Sequence, residues 1–405
     1  MAADPPDLLA YSTGLSRERQ LLLALVTHWL RSPETQPEEA LGDGRCDWRV
    51  LCEEAEVQGV APLVYCVLRT RPRDCPPAVW ERLAASHDRT AGRNALALLQ
   101  LDRVLTALMG EGAGPVMLLK GISLAHRHYP SLALRPMADL DILVPPARQD
   151  QVATAVQALG YRPVPVLAPT LWHASLLSEV AHHVQYAPPP DEAALPLEIH
   201  SAPPSYPGVE WPGLWETAQA VAALGDGALV PSSVDEPAIL LLHLVRHHRS
   251  TSLPGRLIWW LDLALVLQGA HSTTWDGLAE RLATWPPKWT GAGKRILAVL
   301  GAVLGVPVPS AMAPALPLDE TRREVAAIFR RPGEPTFAEI WDEVGHSPRL
   351  ASPFAKLRFA GGYLFPSPAY VRQRDQVGGG LGLLGWYAAR PVTLGVWLLR
   401  SAFRR

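Results

Sequence analysis

Residues 138–144 read Ala138-Asp139-Leu140-Asp141-Ile142-Leu143-Val144, an alternation of polar and apolar positions that only a β-strand turns into two distinct faces. Leu140, Ile142 and Val144 point one way, and Asp139 and Asp141 point the other. The pattern predicts a strand with one buried face. Two carboxylates side by side repel each other and resist desolvation unless a cation neutralises them, and an all-oxygen ligand set suits Mg²⁺. Taken alone, an Asp-x-Asp pair is equally what a solvated strand face looks like.

The surroundings add constraints. Pro115 to Leu119 is a short apolar run ending at Lys120-Gly121, and Ser123 to Tyr129 reads as a helix with Leu124 and Ala125 on its apolar side. In this strand, turn and helix, Gly121 can let the backbone approach a phosphate, and the free amides and the Ser123 hydroxyl can donate to it. An ordinary strand-to-helix turn accounts for the same residues. Further on, Leu195-Pro196-Leu197-Glu198-Ile199-His200 alternates again, with Leu197 and Ile199 opposite Glu198 and His200. If this strand lies beside the first, Glu198 joins the two aspartates.

These residues together resemble a known family. A strand ending in Lys120-Gly121, a helix containing Tyr129, Arg135 four residues before Asp139-x-Asp141, a helix closing in Leu159-Gly160-Tyr161 and a strand carrying Glu198-x-His200 are similar to the uncharacterised nucleotidyltransferase family of the DNA polymerase beta-like nucleotidyltransferase superfamily. Trp48, Ala55, Val60-Ala61-Pro62-Leu63 and Asn94 upstream extend the resemblance. So do Leu242-His243, His247, Leu257, Leu261-Asp262 and Leu364-Phe365-Pro366-Ser367 downstream. It spans about residues 45–400 and is most specific over 117–161. The resemblance implies metal binding and catalysis by Asp139, Asp141 and Glu198, and nucleotide binding by Lys120, Gly121, Ser123 and Arg135. His183, His200 and His247 become candidate walls of the acceptor pocket. The wider superfamily places Gly-Gly or Gly-Ser at the turn, whereas here Ile122 follows Gly121.

Around these strands the chain reads as helical. Apolar stripes run through Leu21–Leu30, Val50–Val67 and Ala95–Met109, Gln149–Leu159 reads as a helix capped by Gly160, and a further helical stretch runs from Pro237 past Gln268, broken at 251–255. Tyr161–Val166, with prolines, fits an edge strand. The fold class expected is α+β, a small mixed-sheet nucleotidyltransferase core over 109–234 flanked by helical regions at 17–108 and 235–405, after a disordered start at 1–16.

With 37 basic against 39 acidic side chains there is no global field to attract a polyanion, which argues against nonspecific nucleic-acid binding and favours a small-molecule or peptide acceptor. The four cysteines, Cys46, Cys52, Cys66 and Cys75, show no Cys-x-x-Cys spacing and fit idle thiols of a reduced, cytoplasmic protein. His243 and His247 share a helix face but lack the Glu of a zinc motif, so buried, hydrogen-bonded histidines are the plainer reading. Residues 351–405 hold eight Lys or Arg against one Asp, interleaved with Phe365, Tyr370, Trp386, Tyr387 and Trp397. They read either as a solvated helical cap or as a docking segment in which Arg372, Arg374, Arg390, Arg400, Arg404 and Arg405 meet an anionic membrane or acidic partner. The function expected is Mg²⁺-dependent transfer of a nucleoside monophosphate from ATP or another NTP to an acceptor. The alternative is a nucleotide-binding accessory or regulatory protein without turnover.

Overall fold

The computed structural model describes residues 8–31, 46–69, 75–164, 183–203, 209–250, 254–332, 352–354, 365–366, 368, 371–372 and 377–403, the last seven as backbone only. His182, Leu364, Ser367, Tyr370, Arg374, Arg404, Arg405 and residues 165–166 lie outside the described residues, as do the side chains of Trp397 and Arg400. Helices α1 (Leu8–Ser12), α2 (Arg17–Arg31), α3 (Trp48–Val57), α4 (Ala61–Leu68) and α5 (Pro77–Gly110) come first. Leu8–Ser12, within the stretch expected to be disordered, form a short helix tied down by Arg322, whose Nε donates to Ala10 O at 2.8 Å. Asp47 caps α3 by accepting from the backbone N–H groups of Arg49 and Val50 at 3.0 and 3.1 Å.

The sheet strands follow as β1 (Val116–Leu119), β2 (Leu140–Leu143), β3 (Arg162–Pro163), β4 (His183–Ala187), β5 (Leu197–His200), β6 (Gln219–Ala220) and β7 (Ala228–Val230). Helix α6 (Gly121–Arg127) links β1 to β2, and α7 (Gln149–Ala158) links β2 to β3. The seven strands form one mixed sheet in the order β3-β4-β5-β2-β1-β7-β6. β2 is antiparallel to β1 and parallel to β5, and β7 is parallel to β1. The proline-bearing β3 sits at an edge, as expected, because Pro163 cannot donate to a second neighbour.

Helices α8 (Asp235–Arg249), α9 (Leu257–Gln268), α10 (Ser272–Ala283), α11 (Pro287–Leu304), α12 (Leu318–Ile328) and α13 (Gly379–Phe403) complete the described elements. The helix expected to start with Pro237 starts two residues earlier, because the Ser232 hydroxyl accepts from Asp235 N at 3.1 Å and moves the first turn forward.

The expectation of one buried face for β2 is corrected: all four of its residues are buried. On one face Leu140 and Ile142 join Val116, Leu118, Leu197 and Ile199 against Leu101, Val104 and Leu108 of α5 and Val152 and Val156 of α7. On the other, Leu143 packs with Met117, Leu119 and Ile239 of α8. The acidic face is thus covered by a helix that starts 92 residues after β2 ends, which periodicity within the strand cannot report. The helices on either side of the sheet in sequence do not form separate layers: α2, α3 and α4 share one continuous core with α8 to α12. The architecture is α+β, a mixed sheet flanked by helices.

Candidate functional site

Asp141 occupies the middle of β2 and is paired in register with Glu198 of parallel β5 on one side and Leu119 of antiparallel β1 on the other. Residues in register on parallel neighbours project to the same face, so the two carboxylates stand abreast. Asp139, two residues earlier and just before the strand, lies on the same side. His200, two residues after Glu198, brings Nε2 to 2.9 Å from Asp141 Oδ1 and 3.7 Å from Glu198 Oε2. Lys120, at the end of β1, places Nζ 3.1 Å from the same Oδ1. One ligand atom each from Asp141, Glu198 and His200 lies within 4.8 Å of the others.

The electrostatics differ sharply between the three acids. Burial opposes ionisation of Asp141, yet Lys120 and the His200 hydrogen bond outweigh it and hold the carboxyl well below the usual range. Asp139 is raised by burial and then by Asp141. Glu198 is pushed up to about 7 by burial, then by Asp141 and Asp139. One amine cannot satisfy three carboxylates. A further cation would bring all three into the ionised form.

Lys120 is in the left-handed region at φ 48°, ψ −137°, the one non-glycine residue so placed among those described. The turn therefore takes its unusual backbone from the lysine, and Gly121 has an ordinary φ. A Cβ on Gly121 would lie in ordinary contact, 3.7 Å from Asp139 O and 3.4 Å from Met137 Sδ. Ser123 is fully buried, and its Oγ accepts from Arg127 Nη1 at 3.3 Å. Arg127 continues to Glu236 Oε1 at 2.6 Å, joining α6 to α8.

Arg135 is buried and donates through Nε and Nη2 to the two oxygens of Asp262 at 3.2 and 2.8 Å. Tyr129 donates its hydroxyl to the same carboxylate at 2.7 Å. Asn94 Nδ2 donates to Leu132 O and Arg135 O at 2.7 and 2.8 Å. The loop that delivers Asp139 is thereby pinned to α5 on one side and α9 on the other.

His183 pairs in register with His200, with ring centroids 5.2 Å apart, and burial together with His200 lowers its pKa to about 4, so it is neutral at pH 7. One turn beyond Ile239, His243 and then His247 pack ring against ring, with centroids 4.4 Å apart and 4.7 and 4.6 Å from Trp259, in tilted and edge-on contacts. Burial and then Lys120 push His243 well below the ordinary histidine value. Arg256 lies 5.0 Å over the Trp259 ring. Trp259 of this wall and the strain at Lys120 were missed in sequence, because each depends on how α9 and β1 are docked. β7 was also missed, although its short apolar run after Asp226-Gly227 is a strand signal.

No curated protein matches the chain. A family model described as uncharacterised nucleotidyltransferase matches residues 45–289, which include every strand of the sheet, the acids and the α8–α9 wall. On that match over more than half its length, the chain belongs to the uncharacterised nucleotidyltransferase family.

Proposed function

We propose that the chain transfers a nucleoside monophosphate from an NTP to a small-molecule or peptide acceptor, with Mg²⁺ held by Asp139, Asp141 and Glu198. The observation that carries this reading is the register of Asp141 beside Glu198, with Asp139 on the same face. The donor set fits the ion: three carboxylates supply hard oxygen ligands, and burial and mutual repulsion raise Asp139 and Glu198, which a bound cation would relieve. His200 orients the Asp141 carboxylate through Oδ1. Bound there, Mg²⁺ supplies Lewis-acid polarisation of phosphate oxygens and lowers the pKa of an acceptor hydroxyl.

The chain's own groups complete the reaction. The acceptor oxygen attacks the α-phosphorus as the bond to the β-phosphate oxygen breaks, releasing pyrophosphate. Glu198, ionised once a cation is present, takes the acceptor's proton. Lys120 leaves Asp141 to offset charge on the leaving phosphates, and Arg135, tied to Asp262, acts by fixing the loop that carries Asp139. Incubating the full chain with each NTP, Mg²⁺ and a cell extract tests this by pyrophosphate release and a nucleotidyl mass increment on the acceptor. Loss of both with Asp141→Asn is the expected control.

A second reading rests on Lys120, whose amine already sits on Asp141 as a built-in cation. It makes the chain a nucleotide-binding accessory protein without turnover. Mg²⁺-independent ATP binding with no pyrophosphate release would select it.

A further inference from the structure

Helix α13 spans 25 residues, Gly379–Phe403, and is apolar on its outer as well as its inner face. Toward the protein it presents Leu383, which is buried, and Tyr387, whose hydroxyl donates to Pro366 O. Arg390 is on this inner side too, 5.0 Å over the Trp386 ring. Toward solvent it presents Leu381, Leu384, Val392 and Val396, which are 86, 68, 71 and 44% exposed, together with exposed Ala388. At 100° per residue these five fall in a sector of about 120°. The remaining positions of that sector through 396 are Gly385 and Gly395, so the stripe carries no charge over more than four turns. Such a face is costly in water unless something covers it.

We propose that this stripe inserts shallowly into an anionic lipid bilayer, the helix lying along the surface. Residues 376–405 contain four arginines and no acid, which complements anionic headgroups. Gly385 and Gly395 on the stripe provide no knobs for a helix seam, which argues against a second copy as the occupant. No helix among the described residues is long and apolar enough to cross a membrane. An interfacial position meets these constraints. The arginine-driven docking expected from sequence changes in kind: Arg390 is turned inward, and apolar area makes the larger contribution.

The test is flotation of the full chain with vesicles of phosphatidylcholine containing about 30% phosphatidylglycerol, with and without 1 M salt, where the Debye length falls to about 3 Å. The chain should float, keep most of its binding at high salt, and bind pure phosphatidylcholine more weakly. Leu381→Asp/Leu384→Asp should lose about tenfold or more in partitioning while its circular dichroism and melting stay those of the parent, since both side chains are exposed. Leu381→Gln/Leu384→Gln, which adds no charge, should show the same loss. Three outcomes overturn the proposal: no flotation of the parent, complete release by salt, or stripe variants that bind like the parent. A parent that is dimeric by light scattering, with monomeric stripe variants, assigns the face to a second copy instead.

Discussion

At the residue scale, the three acids differ in what removal of charge would do. Asp141 is fully committed to the ionised form by Lys120 and His200, so Asp141→Asn should leave a folded protein with Mg²⁺-dependent transfer reduced about a hundredfold or more, read by pyrophosphate release. Glu198 behaves in the opposite sense. Its folded pKa of about 7 lies above the ordinary glutamate value of 4.5, so between those values the folded chain holds a proton that the unfolded chain releases. Without metal, stability from this group is therefore present below pH 4.5 and lost as pH rises through 7. Glu198→Gln should remove that loss and raise metal-free stability at pH 8 by about 2–3 kcal/mol relative to its effect at pH 4.5. Mg²⁺ should raise the melting temperature of the parent more at pH 8 than at pH 5.5, and equal rises at both would contradict the assignment. Lys120 allows a separate comparison. Lys120→Gly and Lys120→Ala both delete the amine, but only glycine adopts φ 48° without strain, so the glycine variant should be the more stable by about 1 kcal/mol in urea.

At the scale of elements, the decisive contact is the one between the loop before β2 and helix α9. Arg135 and Asp262 are both buried and joined by two hydrogen bonds, so removing one partner strands a charge. Arg135→Ala should cost about 3–5 kcal/mol, more than the removal of a hydrogen bond on the surface. Arg135→Met/Asp262→Leu should recover much of that loss. If Arg135 instead contacts substrate, the double variant would regain stability yet show a large fall in NTP affinity by titration calorimetry. Sequence reasoning located Arg135 by its spacing from Asp139. Its partner is 127 residues away, and no local pattern connects the two.

At the scale of the whole molecule, helices from both ends of the chain close over one core, and Gln58 shows how tightly they are joined. Its Oε1 accepts from Leu257 N at 2.8 Å, and its carbonyl accepts from Ile258 N at 3.1 Å, so α3 supplies the cap that α9 lacks from its own side chains. Gln58→Ala leaves a buried amide without a partner and should cost about 1–3 kcal/mol. Because the core is shared, that loss should lower one common transition, with far-ultraviolet dichroism and tryptophan fluorescence shifting together. Separate shifts of the two signals would mean that the two helical segments unfold independently.

The alternating segments at 138–144 and 195–200 determined by themselves that Asp141 and Glu198 belong to strands, with Asp139 just ahead of one, and that each apolar partner faces inward, because side-chain direction in a strand depends only on parity. The strand-to-helix change at Lys120-Gly121 was legible for the same local reason. Tertiary structure decided the rest. Register between β2 and β5 put Glu198 beside Asp141 across 57 residues, and docking of α8 turned the acidic face from a solvated surface into a covered cleft. The same docking set the neutral state of His243, and the seating of α13 turned Arg390 inward and Leu381 and Leu384 outward. These outcomes depend on which distant surfaces exclude water from each other, and burial of that kind is not encoded in any one segment.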